Sequence, residues 1–220
     1  MIAREGWPFV WIGFLLGLIL SLFVLIIPTI PTWLDYIIIF GVSLGLASMA
    51  AYFFRDPLRN TPLESSDLIL APADGKIVEI VREHESTFIH GEVTRISIFL
   101  SVLDVHVNRV PVNGIVRFLE YKSGKYRVAW HPKASTENEQ SIIGVEHSSG
   151  ARILFKQISG TLARRIVNRL AEGDDVNAGQ RFGLIRFGSR MDVIFSAHYP
   201  VHIEVGDRVT AGETILGIVD

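Results

Sequence analysis

Gly188 and Ser189 form a dipeptide at which the chain could cleave its own backbone. They lie next to an apolar run and close to the carboxyl end of the 220 residues. A serine hydroxyl can attack the preceding carbonyl and convert the peptide bond to an ester, and glycine leaves that approach open because it has no Cβ. Elimination from the ester gives a dehydroalanine, which tautomerises and hydrolyses to an amino-terminal pyruvoyl group.

A pyruvoyl group would give the chain a built-in ketone. Ketones condense with amines to Schiff bases, which accept the electrons left behind when an amino acid loses its carboxylate. Gly-Ser is also a common turn dipeptide. The residues around it must therefore decide between self-cleavage and an ordinary turn.

Charged residues are distributed unevenly along the chain. Of the 21 basic and 23 acidic residues, only Arg4, Glu5 and Asp35 precede Arg55. Acids and bases nearly balance beyond that point, which argues against a nucleic-acid partner. The absence of cysteine excludes disulfides, thiolate zinc sites and a cysteine nucleophile. The histidines other than His106 lack metal-ligand spacing, and we predict that no metal is required.

The amino-terminal part reads as a transmembrane hairpin. Residues 7–27 and 36–54 are apolar enough, and long enough, to cross a bilayer as helices. Pro28, Pro31 and Asp35 would form the turn between them. A signal peptide is disfavoured because no small-residue cleavage site precedes the second apolar stretch. A buried core pair is disfavoured because the remaining chain has no obvious surface to cover two apolar helices.

The charges that flank the hairpin predict its orientation. Arg4, Arg55 and Arg59 lie at its outer ends, and the positive-inside rule places such ends in the cytoplasm. We therefore predict a membrane anchor over residues 1–54 and a domain over residues 55–220 on the cytoplasmic side of the cell membrane.

From Thr61 onward, short apolar segments alternate with Gly, Pro, Asp and Asn, which is typical of strands. Helical spacing predicts one helix over residues 162–170. The fold class is therefore mostly β, a sandwich-like or barrel-like domain with one or two short helices, preceded by the helical hairpin. The predicted strands cover residues 76–81, 94–100, 114–121, 141–145, 151–159, 181–187, 192–195 and 214–219.

A short internal repeat occurs in this domain. Residues 173–179 and 206–212 share the pattern Gly-Asp-x-Val-x-Ala-Gly. Two copies are too few for a solenoid, so we interpret them as related hairpin edges of one sandwich. Such turns also resemble those of biotinyl and lipoyl carrier domains, although the modified lysine of those carriers has no match here.

Six ordered motifs resemble the short form of the phosphatidylserine decarboxylase proenzymes, over the chain from about Phe53 to its end. The cleavage motif reads Gly-Ser-Arg, as in that short subgroup, where longer members have Leu-Gly-Ser-Thr. The motifs are Phe53-Phe54-Arg55-Asp56-Pro57, Ala71-Pro72-Ala73-Asp74-Gly75-Lys76, Asp104-Val105-His106-Val107-Asn108-Arg109-Val110-Pro111, Lys133-Ala134-Ser135 with Asn138-Glu139, Gln157-Ile158-Ser159-Gly160 with Ala163-Arg164-Arg165-Ile166, and Phe187-Gly188-Ser189-Arg190.

The resemblance implies self-cleavage between Gly188 and Ser189. It would give a β chain of residues 1–188 and an α chain of residues 189–220, with Ser189 converted to a covalent pyruvoyl cofactor. The mature enzyme would form a Schiff base with the serine headgroup of phosphatidylserine, release carbon dioxide and give phosphatidylethanolamine. A membrane hairpin suits this substrate, because a tethered enzyme finds a bilayer lipid by two-dimensional diffusion.

The resemblance also implies roles for individual residues of this chain. Asp74 and His106 match the family's Ala-Asp-Gly and Asp-x-His motifs and are implicated in activating Ser189. A neutral histidine would take the serine proton while a carboxylate orients the ring, and His106 would later return a proton to the product. Longer members have a second histidine where this chain has Arg109, which cannot act as a base. The base is therefore His106 or another histidine, and Arg109 is a candidate cation for the anionic substrate.

Two other interpretations remain at this point. An archaeal ether lipid with the same serine headgroup would be decarboxylated by the same residues. A non-enzymatic membrane adaptor with a carrier-like β domain would keep its chain uncut. The sequence is compatible with a homo-oligomer and leaves the oligomeric state open.

Overall fold

The fold of the chain is known from a computed structural model, which describes residues 1–26, 33–62, 66–128, 134–160, 165–185 and 189–219. Two compact units are present, Met1–Pro57 and Leu58–Asp220. The first unit is helical and the second is mostly β. The functions assigned to the two parts of the chain, membrane anchor and decarboxylase domain, stay predictions.

Two apolar helices make up most of the first unit, α1 (Trp7–Ile26) and α2 (Trp33–Phe53). Both are long and apolar enough to cross a membrane. Asp35, predicted in the connecting turn, instead lies in the first turn of α2, where the amide N–H groups at a helix start favour a carboxylate. Pro28 and Pro31 lie outside the described residues.

Small residues let α1 and α2 approach closely. A Cβ added to Gly13 would lie 2.9 Å from the main-chain nitrogen of Ala47, and one added to Gly17 would overlap the Ser43 hydroxyl. Larger residues at these two positions would therefore push the helices apart. Close contact through small residues is the usual way in which membrane helices pack, because lipid offers no hydrophobic force between them.

Antiparallel strands build the second unit. The strands are β1 (Leu68–Leu70), β2 (Gly75–Glu85), β3 (Gly91–Leu100), β4 (Val107–Arg109), β5 (Gly114–Lys122), β6 (Gln140–Glu146), β7 (Arg152–Ile158), β8 (Ile166–Asn168), β9 (Asp175–Val176), β10 (Arg181–Ile185), β11 (Ser189–Ser196), β12 (Arg208–Val209) and β13 (Ile215–Ile218). An eight-stranded sheet, which curls into a half-barrel, has the order β12-β2-β3-β11-β7-β6-β5-β9, and smaller sheets have the orders β4-β10-β8 and β1-β13. A single helical turn, α3 (Ala134–Glu137), precedes β6.

The mostly β fold class is confirmed, and each of the eight predicted strands overlaps an observed one. β11 begins earlier than predicted, at Ser189 and not at Asp192. The prediction missed this start because Arg190 is charged, and charged residues are unusual in a buried strand. The candidate nucleophile is therefore part of the sheet.

Side chains of the large sheet alternate between two faces. The inner face carries Met191 and Val193 of β11 and packs against the sheet that contains β10. Phe155 of β7 and Phe182 of β10 meet there edge to face, with ring centroids 5.3 Å apart. The outer face carries the alternate residues of the same strands, beginning with Arg190.

The helix predicted over residues 162–170 is wrong in the part that the structure describes. Ile166, Val167 and Asn168 form β8, which pairs with β10. The two β-branched residues favour a strand, and pairing with β10 outweighs the helical spacing of the apolar residues. Residues 161–164 lie outside the described ranges.

The two repeated turns occupy the two ends of the large sheet. β9 belongs to the first copy and pairs with the start of β5, while β12 belongs to the second and pairs with the start of β2. Gly173 and Gly206 both have positive φ, 93° and 109°, which glycine tolerates without strain. The interpretation of the repeats as related edges agrees with this arrangement.

The two repeated turns are also held by equivalent side chains. Asp74 Oδ1 accepts a 2.8 Å hydrogen bond from the Ala211 main-chain nitrogen, and Asn113 Oδ1 accepts one of 2.8 Å from that of Ala178. Asp74 and Asn113 are thus matched residues, each of which closes one of the repeated turns.

Glu85 holds the turn between β2 and β3. Its carboxylate accepts hydrogen bonds from the main-chain nitrogens of Thr87, Phe88 and Ile89, at 2.7, 2.9 and 2.7 Å. Burial alone would raise the pKa of Glu85, but these three bonds outweigh it and lower the pKa from 4.5 to about 2. The ionised carboxylate therefore stabilises the fold.

We expect Glu85→Gln to lower the free energy of unfolding by ~1–3 kcal/mol at neutral pH. A depressed folded-state pKa stabilises above the unfolded value of 4.5, and the stabilisation is lost as the pH falls toward about 2. Urea unfolding of the full chain in detergent measures the free energy of unfolding of both proteins. The difference between wild type and variant should become smaller as the pH falls. Glu92→Gln, on an exposed side chain of β3, is the control; a difference that does not change with pH would contradict the prediction.

Candidate functional site

Ser189 begins an interior strand of the large sheet. It lies opposite Leu100 of β3 and is fully buried. Its hydroxyl makes no hydrogen bond with any described residue. Buried hydroxyls nearly always have a partner, so an exception calls for an explanation, such as an ordered water, a bound ligand or a reactive role. Gly188, the other half of the predicted cleavage site, lies outside the described residues.

Two more polar residues continue the row that Ser189 starts across the inner face. Ser159 comes one position after Ile158, which pairs with Arg190, so Ser159 lies beside Ser189. Glu139 comes next, and its carbonyl accepts a 2.9 Å hydrogen bond from the Ser159 main-chain nitrogen. Ser159 Oγ and Glu139 Oε2 are buried and have no hydrogen-bond partner in the described part of the chain. Neighbouring strands are about 4.8 Å apart, so the row spans roughly 10 Å.

A pair of buried amides lies one row further along the inner face. Gln157 pairs with Met191 of β11. Its Nε2 donates to Asn108 Oδ1 at 2.9 Å and to the Val167 carbonyl at 3.2 Å. Because a carbonyl can only accept, the contact with Val167 fixes how both amides are turned. Gln157 Oε1 and Asn108 Nδ2 are left over, and neither has a partner among the described residues.

His106 immediately precedes β4 and is 2% exposed. Its Nδ1 lies 2.9 Å from the main-chain oxygen of Asp104. That oxygen only accepts, so Nδ1 carries the proton of the neutral ring and Nε2 is its basic nitrogen. A general base that acts through Nε2 needs this tautomer. The main chain orients the ring at Nδ1, where the triad model expects a carboxylate.

His106 is also hydrogen-bonded to the strand that leads to the predicted cleavage site. Its carbonyl accepts a hydrogen bond of 3.4 Å from the main-chain nitrogen of Ile185, the last residue of β10 and four positions before Ser189. The ring and the Ser189 hydroxyl are not hydrogen-bonded to each other in this structure. The roles predicted for both residues stay predictions.

Asp74 lies in the turn before β2 and is bound by Arg59. Arg59 Nη2 donates to both carboxylate oxygens, at 2.8 and 2.7 Å, and the Ala211 main-chain nitrogen donates to Oδ1. These contacts tie the segment after residue 57 and the second repeated turn to the same carboxylate. The structure thus gives Asp74 a clear structural function, while its predicted action on Ser189 stays a prediction.

We expect Asp74→Ala to lower the free energy of unfolding by ~2–4 kcal/mol, because it leaves Arg59 without its carboxylate and removes the acceptor for Ala211. Asp74→Asn should cost about half as much, since an amide oxygen fills the same place at Asn113. Thermal unfolding of the full chain in detergent measures both. Equal losses from the two variants would contradict this account. Slow cleavage in a well-folded Asp74→Asn chain would separate a chemical role from the structural one.

Arg109 is placed beside both repeated turns. Its Nη1 donates to the Gly179 carbonyl at 3.0 Å. Its Cδ lies where a Cβ on Gly212 would come within 3.0 Å, so glycine there makes room for the arginine. The predicted contact of Arg109 with substrate stays a prediction.

A buried charge network occupies the outer face directly after the candidate nucleophile. Arg190, only 1% exposed, donates from Nε to Asp192 Oδ1 at 2.7 Å and from Nη2 to Glu79 Oε2 at 2.8 Å. Arg95 Nη1 donates to the same Glu79 oxygen at 2.8 Å. Ser135 Oγ donates to Asp192 Oδ2 at 2.7 Å. These bonds hold Arg190 firmly, and with it the start of β11.

In the sequence, Arg190 stands out only through its place in the predicted cleavage motif. Arg190 and Asp192 are two positions apart in an otherwise apolar strand, so their side chains lie on the same face. Because buried charges must be paired, this spacing could have predicted a buried ion pair. Burial acts to raise the pKa of Glu79, but hydrogen bonds from Arg95 and Arg190 outweigh it and hold that pKa below its usual value. Glu79 therefore stays ionised and the network keeps its charges.

The residues around Ser189 fit a pyruvoyl group. Ser189 is the one predicted source of that group, and it lies in one row with Ser159 and Glu139. Asn108 Nδ2 and Gln157 Oε1, which have no partner in the part of the chain that the structure describes, offer further polar contacts nearby. Within the described ranges, no group of three or more His, Asp or Glu side chains could hold a metal ion.

Comparisons with known proteins identify similar chains. A family profile described as phosphatidylserine decarboxylase matches residues 46–217. A phosphatidylserine decarboxylase proenzyme of Salinibacter ruber is 49% identical over 190 residues, which are 84% of each chain. Proteins of the same name from Symbiobacterium thermophilum and Syntrophotalea carbinolica are each 44% identical over 218 residues, which cover 99% of this chain and 95% and 96% of theirs. The matched region contains Asp74, His106 and Ser189.

Proposed function

Because this chain belongs to the phosphatidylserine decarboxylase family, we propose that it cleaves itself between Gly188 and Ser189 and then converts phosphatidylserine to phosphatidylethanolamine. The observation that carries this proposal is Ser189 itself, a fully buried serine whose hydroxyl has no described partner, at the predicted cleavage site. Ordinary Gly-Ser turns are exposed and their hydroxyls are solvated.

Self-cleavage would proceed in three steps: an acyl shift, an elimination and a hydrolysis. Ser189 Oγ attacks the Gly188 carbonyl carbon, the C–N bond breaks, and the serine proton passes through the base to the new amine. Removal of the Ser189 α-proton then expels the Gly188 carboxylate, which separates the chains and leaves a dehydroalanine. The dehydroalanine tautomerises to an imine, and water hydrolyses this imine to a ketone with release of ammonia. The α chain of residues 189–220 then begins with a ketone.

His106 is the proposed base for this process. Its neutral tautomer presents Nε2 as the basic nitrogen, and its carbonyl is bonded to the strand that leads to the cleavage site. Asp74 and Arg59 would act by holding the neighbouring turn. Arg190, anchored on the outer face, keeps the first residues of β11 in place while the bond before them breaks.

The pyruvoyl group, once formed, would supply a ketone that condenses with the headgroup amine and accepts the electrons left by carbon dioxide. The chain's own residues do the rest. Burial around Ser189 excludes water, which strengthens every polar contact with the headgroup. His106 returns a proton to the product, and Arg109 offers positive charge to an anionic substrate.

The membrane is the proposed location. Both helices of the first unit could span a bilayer, and basic residues flank the outer ends of the hairpin, which favours the cytoplasmic side. The β and α chains of one precursor would stay together there, next to their lipid substrate.

An intact mass spectrum of the purified protein tests this function first. Two chains that meet at Gly188 and Ser189, with the smaller one modified by an amine plus borohydride, are the expected result. Carbon dioxide release from phosphatidylserine vesicles then identifies the activity, and ether-lipid vesicles with the same headgroup test the archaeal alternative. A single unmodified mass would contradict self-cleavage and favour the adaptor interpretation.

A further inference from the structure

We propose that Glu139, Ser159 and Gln157 form the subsite that binds the ammonium group of the serine headgroup. This inference rests on the proposed function and names the part of the site that recognises the substrate amine. It starts from three buried oxygen atoms on the inner face beside Ser189, Glu139 Oε2, Ser159 Oγ and Gln157 Oε1. None of the three has a hydrogen-bond partner among the described residues.

Glu139 is held so that one carboxylate oxygen stays available. The residue is only 6% exposed. Its Oε1 accepts a 2.6 Å hydrogen bond from the Tyr121 hydroxyl, and that bond raises the pKa of Tyr121 to about 12. Tyr121 therefore remains a donor at neutral pH and occupies Oε1, which leaves Oε2 to another donor.

Ser159 is fixed next to Glu139 by its main chain. Its nitrogen donates to the Glu139 carbonyl, and its carbonyl accepts a 2.7 Å bond from Asn138 Nδ2. Its hydroxyl is fully buried and unpartnered among the described residues. Ser159 thus lies between the carboxylate and Ser189 in one row of the sheet.

Gln157 can offer only its oxygen to a ligand. Its Nε2 is committed to Asn108 and to the Val167 carbonyl, so Oε1 must be the free end of the amide. Gln157 is displaced by two positions from Ser159, and such diagonal neighbours lie about 7–8 Å from a residue on the next strand. Its Oε1 can therefore reach a group held above Ser189.

The chemistry of these atoms selects a cation with N–H donors. A carboxylate oxygen and an amide oxygen can only accept, and a hydroxyl can accept as well. A buried carboxylate oxygen without a partner is unfavourable unless a ligand satisfies it. The serine headgroup contains one such cation, its ammonium, and this is also the group that must approach the carbon skeleton of Ser189. The subsite would thus bind the amine where it has to react.

Binding to the uncut chain tests the subsite without requiring activity. The chain with Ser189→Ala, in detergent, is titrated with glycerophosphoserine and followed by NMR. The matched probe is its N-acetyl derivative, which keeps the phosphate and carboxylate but loses the ammonium. We expect the Ser189→Ala chain to prefer glycerophosphoserine, and added Glu139→Gln to weaken that binding at least about tenfold while leaving the N-acetyl probe unchanged.

A matched control removes the same charge from the other face of the sheet. Glu120 pairs with Ile142, an outer-face residue, and contacts Lys122, so Glu120→Gln should bind both probes as the parent does. Ser159→Ala keeps every main-chain hydrogen bond and should weaken the binding of glycerophosphoserine about threefold to tenfold. Equal binding in the parent and Glu139→Gln chains would overturn the proposal, and so would equal weakening of both probes.

The two proposals fail separately. If wild-type protein is cut normally and Glu139→Gln binds glycerophosphoserine as tightly as its parent, the subsite is wrong and the function stands. If wild-type protein is never cut but binding depends on Glu139, the subsite stands and self-cleavage is wrong.

Discussion

The Ser189→Ala chain is expected to remain one polypeptide of 220 residues and to release no carbon dioxide from phosphatidylserine. Alanine has no nucleophile to attack the Gly188 carbonyl and no oxygen to leave in the elimination, so both cleavage and the ketone are lost. The side chain is fully buried and its hydroxyl has no described partner, so its removal should cost little stability. Denaturing gels, intact mass and lipid decarboxylation measure the result.

Ser196 provides the matched control for this variant. It ends β11 as Ser189 begins it, and Ser196→Ala should be cut as completely as wild type. Ser189→Cys keeps a nucleophile and should be cut at a detectable rate. Efficient cleavage of Ser189→Ala would exclude the serine mechanism, and an uncut Ser196→Ala chain would show that cleavage merely reports the integrity of β11.

His106→Ala is expected to slow self-cleavage by about 10²–10⁴-fold, the usual contribution of a general base. The ring is buried, and its Nδ1 contact with the Asp104 carbonyl leaves Nε2 as the basic nitrogen. Purified precursor should therefore accumulate and be cut much more slowly than the wild-type chain. A time course on denaturing gels gives the rate.

His147→Gln is the control for His106. His147 is also buried, at 4% exposure, but it follows β6 and contacts Ser149. Its variant should be cut normally. His106→Gln, which can keep a donor near Asp104 but has no basic nitrogen, should fail like His106→Ala. Normal cutting of both His106 variants would assign the base to another residue.

Local sequence patterns predicted the frame of the fold but not all of its parts. Turn residues around short apolar runs marked all eight predicted strands, and the repeated Gly-Asp turns marked the two ends of the large sheet. Ile166 to Asn168 were predicted as helix because their spacing is helical, and only the pairing with β10 makes them a strand. Such pairing joins distant segments, so spacing within one segment does not reveal it.

The candidate site was predicted only in part, for a similar reason. Ser189, His106 and Asp74 were identified by motif, but the partner of Asp74 is Arg59 and the partner of His106 Nδ1 is a main-chain oxygen. Main-chain acceptors leave no trace in residue types. Glu139 and Gln157 stood in motifs without any role, since their unpartnered oxygens become visible only when the strands are placed side by side.

The position of β11 inside the sheet determines whether the proposed cutting can precede folding. Its neighbours are β3 and β7, with eight residue pairs in register on one side and five on the other. A separately made fragment of residues 189–220 would have to insert β11 between β3 and β7. Those two strands are adjacent in the sheet only through β11, so the site of insertion would not form without it. If the chain is cut as proposed, folding must therefore come first and cutting second. The two pieces would then form a heterodimer whose dissociation is equivalent to unfolding, so the broken bond would not by itself shorten the lifetime of the protein.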